Sequence, residues 1–144
     1  MHRREMLGSV GALAMAALAV DAVAANHDHD HHHGAKYQGL IGTSGDCVRT
    51  GEACLNHCFE LLGNGDKEMA ACAKSVNELL AVCAALQRLA TSESKFLARY
   101  AKVAGEICED CEKECRKHEK KHSQCKDCAE ACAACLKECK KLAA

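Results

Sequence analysis

Small and hydrophobic residues recur at every third or fourth position through most of the chain after residue 36, a period typical of amphipathic helices. The pattern predicts a first helix over about residues 44–62, with an earlier turn from residue 36, which ends at Gly63-Asn64-Gly65. We expect Asp66 to cap the second helix, Thr91 or Ser92 the third, and Ser123 the fourth. Four helices of about 20–25 residues with short connections predict an all-α, up-down-up-down four-helix bundle.

Cysteine occupies much of the inward face that this periodicity defines. In the fourth helix it replaces the aliphatic residues, with spacings of 3, 4, 3 and 4 at Cys125, Cys128, Cys132, Cys135 and Cys139. The equivalent faces of the first three helices carry Cys47, Cys54, Cys58, Cys72, Cys83, Cys108, Cys111 and Cys115. Residues three and four apart share one side of a helix, so the thirteen cysteines should line the interior of the bundle.

The up-down topology also predicts two different ends. Counted from the end where the first and third helices finish, the cysteines span about 17 residues, a column of roughly 25 Å. Large aliphatic residues should close the opposite end: Leu40, Leu86, Leu89, Leu97 and Leu142. The cysteine-rich end carries additional soft or nitrogen ligands: His57, Met69, His118 and His122.

The first 24 residues have the composition of an export signal. Arg3-Arg4 precede an uncharged, alanine-rich run, and Ala22-Val23-Ala24 forms a small-x-small cleavage pattern. The run of about 15 residues is short for a membrane span, so we expect none in the mature protein. The paired arginines favour a twin-arginine signal and hence a folded, exported, periplasmic protein, and an ordinary secretory signal is the alternative.

A histidine- and aspartate-rich stretch over residues 25–35 separates the signal from the bundle, which should occupy residues 36–144. It is polar and lacks helical periodicity, which is typical of a disordered arm. Its imidazoles would suit Cu(II), Zn(II) or Ni(II), and a solubilising spacer is an equal alternative.

Composition excludes several other functions. The net charge is −1, with 19 basic and 20 acidic residues, so nothing favours nucleic acid or a membrane surface as a partner. No nucleophile is paired with an oriented base, and buried cysteine reacts poorly, which favours binding over catalysis.

The spacing of the cysteines favours metal binding over crosslinking. An odd number of cysteines, many on one helix face, makes a poor disulfide framework, although export to an oxidising compartment keeps that alternative open. Structural zinc usually takes discrete sets of four ligands, and iron–sulfur clusters are held by loops. Cu(I) accepts thiolate ligands readily, and about one Cu⁺ per thiolate would leave the interior close to neutral. The sequence therefore indicates multiple Cu(I) ions, with zinc and iron–sulfur binding as alternatives.

His57 and Met69 are candidate ligands at the cysteine-rich end. His57 lies next to Cys58, and Met69 lies on the inward face of the second helix. Either could also be an ordinary solvated or packing residue. His118 and His122 lie nearer a charged turn and are weaker candidates.

The signal, the cysteine-lined helices and the Cys-x-x-Cys-x-x-x-Cys run of the fourth helix together resemble the exported copper storage proteins of bacteria, best known from methane oxidisers. The resemblance covers essentially the whole chain. It implies a preformed bundle that stores Cu(I) on cysteine, with His57 and Met69 at the positions of the open-end ligands. It also implies a homotetramer and a copper-accepting enzyme as a partner. Leu61 and Asn64 depart from the methionine-rich open end of the family.

Two observations leave the biological role and the assembly open. A copper chaperone or a detoxifying buffer would share the same ligands, and only the rate of copper release separates these from a store. A second apolar stripe on the first helix, formed by Val48, Leu55, Phe59 and Leu62, favours a homo-oligomer unless a neighbouring helix covers it.

Overall fold

The computed structural model describes residues 35–143. The predicted signal over residues 1–24 and almost all of the histidine-rich arm lie outside the described residues.

Four α-helices pack side by side in the order of the sequence, with the first also contacting the fourth. After a short 3₁₀ turn, Ala35–Tyr37, the helices are α1 (Gln38–Gly63), α2 (Ala70–Thr91), α3 (Leu97–Arg116) and α4 (Ser123–Ala143). Residues 35–143 contain no strand. The predicted all-α four-helix bundle is confirmed.

Helix α1 begins at Gln38, six residues before Ser44, and the turn at Ala35–Tyr37 confirms the earlier turn predicted from residue 36. The added segment of α1 is rich in glycine and hydroxyl residues. The hydroxyls of this segment bond back within the helix: Ser44 Oγ donates to the Leu40 carbonyl at 2.7 Å, and Thr43 Oγ1 donates to the Gly39 carbonyl at 2.9 Å. Leu40 is 2% exposed, so burial of this side chain holds the turn. Tertiary packing thus overrides the weak helix propensity of the segment.

The break after α1 follows the predicted glycine turn. Gly65 has φ +92°, a conformation that glycine adopts without strain. The Gly65 N–H donates to the Leu62 carbonyl and the Asp66 N–H donates to the Leu61 carbonyl, both at 3.0 Å, which satisfies the end of α1. Asp66 caps as predicted, but it caps the 3₁₀ turn Lys67–Met69 that leads into α2, accepting the Glu68 N–H at 3.1 Å.

The prediction that Thr91 or Ser92 caps α3 is wrong. Thr91 is the last residue of α2, where its hydroxyl donates to the Gln87 carbonyl at 2.8 Å. Phe96 occupies the N-cap position of α3, without a side-chain capping bond. Just before it, the Ser94 hydroxyl accepts the N–H of Phe96 at 3.3 Å, and the Ser94 carbonyl accepts the N–H of Leu97.

The predicted inward faces of all four helices are buried. Helix α2 supplies most of the large apolar side chains of the core: Met69 just before it, then Val76, Leu79 and Leu86 within it. The other three helices supply mainly cysteine and alanine, so thiols pack as small hydrophobes around this aliphatic strip.

Glycine allows α1 and α2 to approach closely near the middle of the bundle. A Cβ atom at Gly51 would lie 2.9 Å from Leu80 Cδ2, closer than real Cβ contacts. A larger residue at this position would require the Leu80 side chain to move.

The bundle itself covers most of the second apolar stripe of α1. Leu55 is buried, and Val48 and Leu62 pack against the core, whereas Phe59 is 58% exposed. Most of this stripe is thus covered within the bundle, and only Phe59 is left exposed for contact with a second copy.

One described segment, Lys67–Thr91, is long and apolar enough, by length and composition alone, to cross a membrane. It contains α2, and its apolar face forms the aliphatic part of the core.

Candidate metal centre

The thirteen cysteines all lie in the interior between the four helices. Each is at most 1% exposed, and all are free thiols rather than disulfides. Leu40, Leu86 and Leu97 are buried at the opposite end, as predicted, while Leu89 and Leu142 are half-buried there. The sulfur column is therefore closed at one end by aliphatic side chains.

The sulfurs fall into three clusters, grouped by the thiols that surround Cys58, Cys128 and Cys135. The upper cluster is Cys54, Cys58, Cys72 and Cys125. The middle cluster is Cys111, Cys115, Cys128 and Cys132. The lower cluster is Cys47, Cys83, Cys108, Cys135 and Cys139.

The upper cluster joins α1, α2 and α4 near the end that carries the histidines. The sulfurs of Cys54, Cys58 and Cys72 all lie within 4.8 Å of one another. Cys125 Sγ lies 3.8 Å from Cys54 Sγ. This arrangement offers a three-sulfur set with a fourth thiol in contact.

The middle cluster comes from α3 and α4 alone. Cys111, Cys128 and Cys132 form another set within 4.8 Å, and Cys115 Sγ lies 3.9 Å from Cys111 Sγ. Between Cys72 and Cys83 the inward face of α2 carries Val76 and Leu79, not cysteine. In the middle of the bundle, the sulfurs therefore lie on the α3–α4 side, opposite the aliphatic side chains of α2.

The lower cluster draws on all four helices. Cys47, Cys83, Cys108 and Cys135 come from α1, α2, α3 and α4 in turn, and their four sulfurs lie within 4.8 Å of one another. The Sγ atoms of Cys83 and Cys108 are 3.9 Å apart. This is the largest potential ligand set among residues 35–143.

Short contacts join the upper and middle clusters. Cys72 Sγ lies 3.7 Å from Cys115 Sγ, and Cys54, Cys115 and Cys128 form a set within 4.8 Å. These contacts make the two clusters one continuous path of neighbouring sulfurs.

In each cluster, the surrounding thiols lower the pKa of one sulfur. The pKa of Cys128 is lowered by the thiols of Cys111, Cys115, Cys132 and Cys54. The pKa of Cys135 is lowered in the same way, first by Cys108 and then by Cys139, Cys47 and Cys83.

In the upper cluster, the thiols of Cys125, Cys54 and Cys72 lower the pKa of Cys58, with a smaller electrostatic contribution from His57. Donation to Cys135 followed by burial raises the pKa of Cys139. Most of the buried thiols likewise have a raised pKa and hold their protons at neutral pH.

The histidine-bearing end contains a contact that the sequence did not predict. His57 Nε2 lies 2.9 Å from His122 Nδ1, and both rings are half-buried. His122 had been the weaker candidate because it adjoins a charged turn. The His118 carbonyl accepts the His122 N–H at 3.0 Å and folds that turn back over the bundle, which brings His122 above α1.

The structure places the other two candidates differently. Met69 is 1% exposed and belongs to the core. His118 is half-buried at the same end but is not part of the histidine pair. The compact sets of three or more potential metal ligands in the described chain consist of cysteine, so His57 adjoins the sulfur column rather than joining one of these sets.

This geometry suits ions that take soft sulfur ligands in low coordination number. Three-sulfur sets that share Cys54 and Cys128 allow neighbouring ions to share a thiolate ligand. Each bound monovalent ion can replace one thiol proton without changing the charge of the buried column. The same column offers no oxygen ligands for hard cations such as Mg²⁺ or Ca²⁺.

Comparison with known proteins agrees with this chemistry. A family model described as copper storage protein matches residues 33–144. The uncharacterized cysteine-rich protein YhjQ of Bacillus subtilis (strain 168) is 32% identical over 100 residues, which cover 68% of this chain and 90% of the relative.

Solved structures of copper storage proteins have the same fold. The Cu(I)-bound copper storage protein BsCsp3 has a TM-score of 0.67 and 28% identity, and covers 74% of this chain and 97% of its own. Apo copper storage protein 3 from Bacillus subtilis has a TM-score of 0.65 and 29% identity, with coverages of 74% and 98%.

A more distant structure shows the fold alone. The copper storage protein Ccsp from Streptomyces lividans, loaded with 10 copper equivalents, has a TM-score of 0.67 at 21% identity, and covers 81% of this chain and 92% of its own. With the family model spanning nearly all of the described bundle, these findings show that the chain belongs to the copper storage protein family.

Proposed function

We propose that this protein stores multiple Cu(I) ions on the cysteine sulfurs of its core, as a binding protein rather than an enzyme. The proposal rests on thirteen buried, free thiols, eleven of which form compact sets of three or four sulfurs. The ligands are all thirteen cysteines. Membership of the copper storage family supports the choice of metal.

Charge supports a monovalent ion. Burying an unpaired charge costs several kcal/mol, and the described core contains no basic side chain to balance thiolates. When Cu⁺ replaces a thiol proton, the charge of the column does not change.

The bundle does not need copper in order to form. Its helices are held by Leu79, Leu86 and Val76 and by protonated thiols that pack as apolar groups. The likeness of this chain to both a Cu(I)-bound and an apo copper storage protein, with similar TM-scores, supports a fold that copper does not reshape.

Copper enters and leaves at the end that carries His57, His122 and Met69. The aliphatic side chains close the other end, whereas the two half-buried imidazoles adjoin the upper cluster through Cys58. In this proposal the histidine pair passes ions to Cys58, and Met69 lines the path. A store holds copper until an accepting enzyme withdraws it, whereas fast release to a partner would indicate a chaperone.

Export and assembly complete the proposal. A twin-arginine signal over residues 1–24 would place the folded protein in the periplasm, where it would contribute to copper homeostasis. Homotetramer formation is proposed on the resemblance to exported copper storage proteins. Exposed Phe59, Phe96 and Val103 are the large apolar side chains available for contacts between copies.

Signal removal would create a further copper ligand set. Cleavage after Ala24 leaves a free amine on Ala25, with His27 as the third residue. An α-amine, the intervening amides and this imidazole can supply nitrogen ligands in one plane, the geometry that Cu(II) prefers. The remaining histidines of the arm would add capacity to capture copper outside the bundle.

Copper capacity is the direct test of the storage proposal. Anaerobic titration of the reduced protein, with metal analysis, should reach about one Cu(I) per cysteine, because near neutrality requires about one Cu⁺ per thiolate. The Cys128→Ala, Cys132→Ala, Cys135→Ala triple variant should lose at least three ions per chain while keeping its helicity.

Leu79→Ala is the matched control for this loss. It removes a buried side chain near the middle of the core and should cost about 2–5 kcal/mol of stability without changing the copper count. Saturation of the unaltered protein at three or four ions would contradict the proposal.

The site of copper passage is tested by kinetics. The His57→Ala, His122→Ala, Met69→Leu triple variant should load and release Cu(I) several-fold more slowly, with capacity nearly unchanged, when stopped-flow transfer to a competing chelator is measured. His118→Ala, at the same end but outside the histidine pair, should behave like the unaltered protein. Equal rates in all three proteins would place the passage elsewhere.

Export and arm chemistry can be tested together. Mass spectrometry of the protein recovered from the periplasm should show a chain that begins at Ala25. Its Cu(II) electron paramagnetic resonance spectrum should show nitrogen ligands and should change in the His27→Ala variant. A periplasmic chain that still begins at Met1, or a spectrum unaffected by the substitution, would rule this role out.

A further inference from the structure

One ligand set in the column differs from all the others in its geometry. Cys47, Cys83, Cys108 and Cys135 come one from each helix, and each is 0% exposed. The other compact sets contain three sulfurs and come from two or three helices. We call Cys47, Cys83, Cys108 and Cys135 the four-helix site.

The spacing of the four-helix site matches a tetrahedral metal centre. A Zn–S bond of about 2.3 Å gives a tetrahedron with sulfurs about 3.8 Å apart, and the larger Cd²⁺ gives a slightly longer edge. In the structure, Cys83 and Cys108 are already 3.9 Å apart, and no pair in the site exceeds 4.8 Å. Contraction of less than about 1 Å would close the set around an ion.

We propose that the four-helix site binds one divalent, four-coordinate ion of the zinc group, Zn²⁺ or Cd²⁺, in the copper-free protein. Such ions prefer four ligands, and thiolates are among their strongest partners. A fourth thiol lies beside the upper and middle three-sulfur sets, but it is more than 4.8 Å from at least one of their members. The cysteine spacing did not predict a discrete set of four ligands, and the structure contains one.

Binding can be written as a balanced exchange of protons for metal. One M²⁺ and four thiols give M(S-Cys)₄²⁻ and four released protons. The product carries two buried negative charges, which makes the site weaker for a divalent ion than an exposed zinc site with the same ligands. Cadmium, the softer ion, should therefore bind more tightly than zinc.

Two cysteines of α2 provide a matched pair for the experiment. Cys83 belongs to the four-helix site and Cys72 belongs to the upper cluster, and both are fully buried. Replacing either one by alanine removes one sulfur from the same helix.

The experiment titrates the reduced, metal-free protein anaerobically with Cd²⁺ and records thiolate-to-cadmium ultraviolet absorption and ¹¹³Cd nuclear magnetic resonance. One four-sulfur cadmium signal per chain is expected in the unaltered protein and in Cys72→Ala. The signal should be lost in Cys83→Ala. Nitrogen-bound cadmium on the histidine-rich arm has a separate resonance and does not count toward this signal.

Absence of a four-sulfur signal in the unaltered protein would overturn the proposal. The proposal would also be overturned if Cys72→Ala and Cys83→Ala both lost the signal or both kept it. Circular dichroism verifies that each variant is folded, and Cys47→Ala replaces Cys83→Ala if the latter loses helicity. Cu(I) capacity is measured separately on the same preparation, so failure of the cadmium site leaves the copper result intact.

Discussion

The structure depends on keeping most of its thirteen buried sulfurs uncharged. A protonated thiol behaves as a small apolar side chain, so a column of thiols can fill the core of a bundle without copper. A column of thiolates could not, because several uncompensated charges would each cost several kcal/mol. The exchange of a proton for Cu⁺ is the chemistry that leaves this balance intact, and fold and storage therefore rest on the same constraint.

The division of roles among the helices follows from this constraint. Cysteine is smaller than leucine, so a core made only of thiols would bury little apolar surface, and α2 compensates with Met69, Val76, Leu79 and Leu86. Because these side chains fill the inward face of α2, the middle cluster has cysteines from α3 and α4 only. At the lower cluster all four helices contribute sulfur, which creates the four-helix site. The middle three-sulfur set thus occurs where α2 contributes aliphatic side chains to the core, and the four-sulfur set occurs where α2 contributes Cys83.

Periodicity alone predicted the fold class, the inward faces and the burial of every cysteine, because residues three and four apart must share a face whatever their partners are. It could not predict contacts between helices. The pairing of His57 with His122 depends on the fold of the turn before α4. Leu55 is buried by the packing of the bundle, which the period of a single helix does not reveal. The early start of α1 depends on the burial of Leu40, which outweighs the poor helix propensity of its neighbours.

We expect Cu⁺ to replace protons in a bundle that is already folded. Proton release and far-ultraviolet circular dichroism, measured together while reduced, copper-free protein is titrated with Cu(I) in weak buffer, test this exchange. Helical ellipticity should change little throughout, and close to one proton should be released for each copper bound to a protonated thiol. A coil-to-helix transition on adding copper, or copper uptake with almost no release of protons, would contradict it.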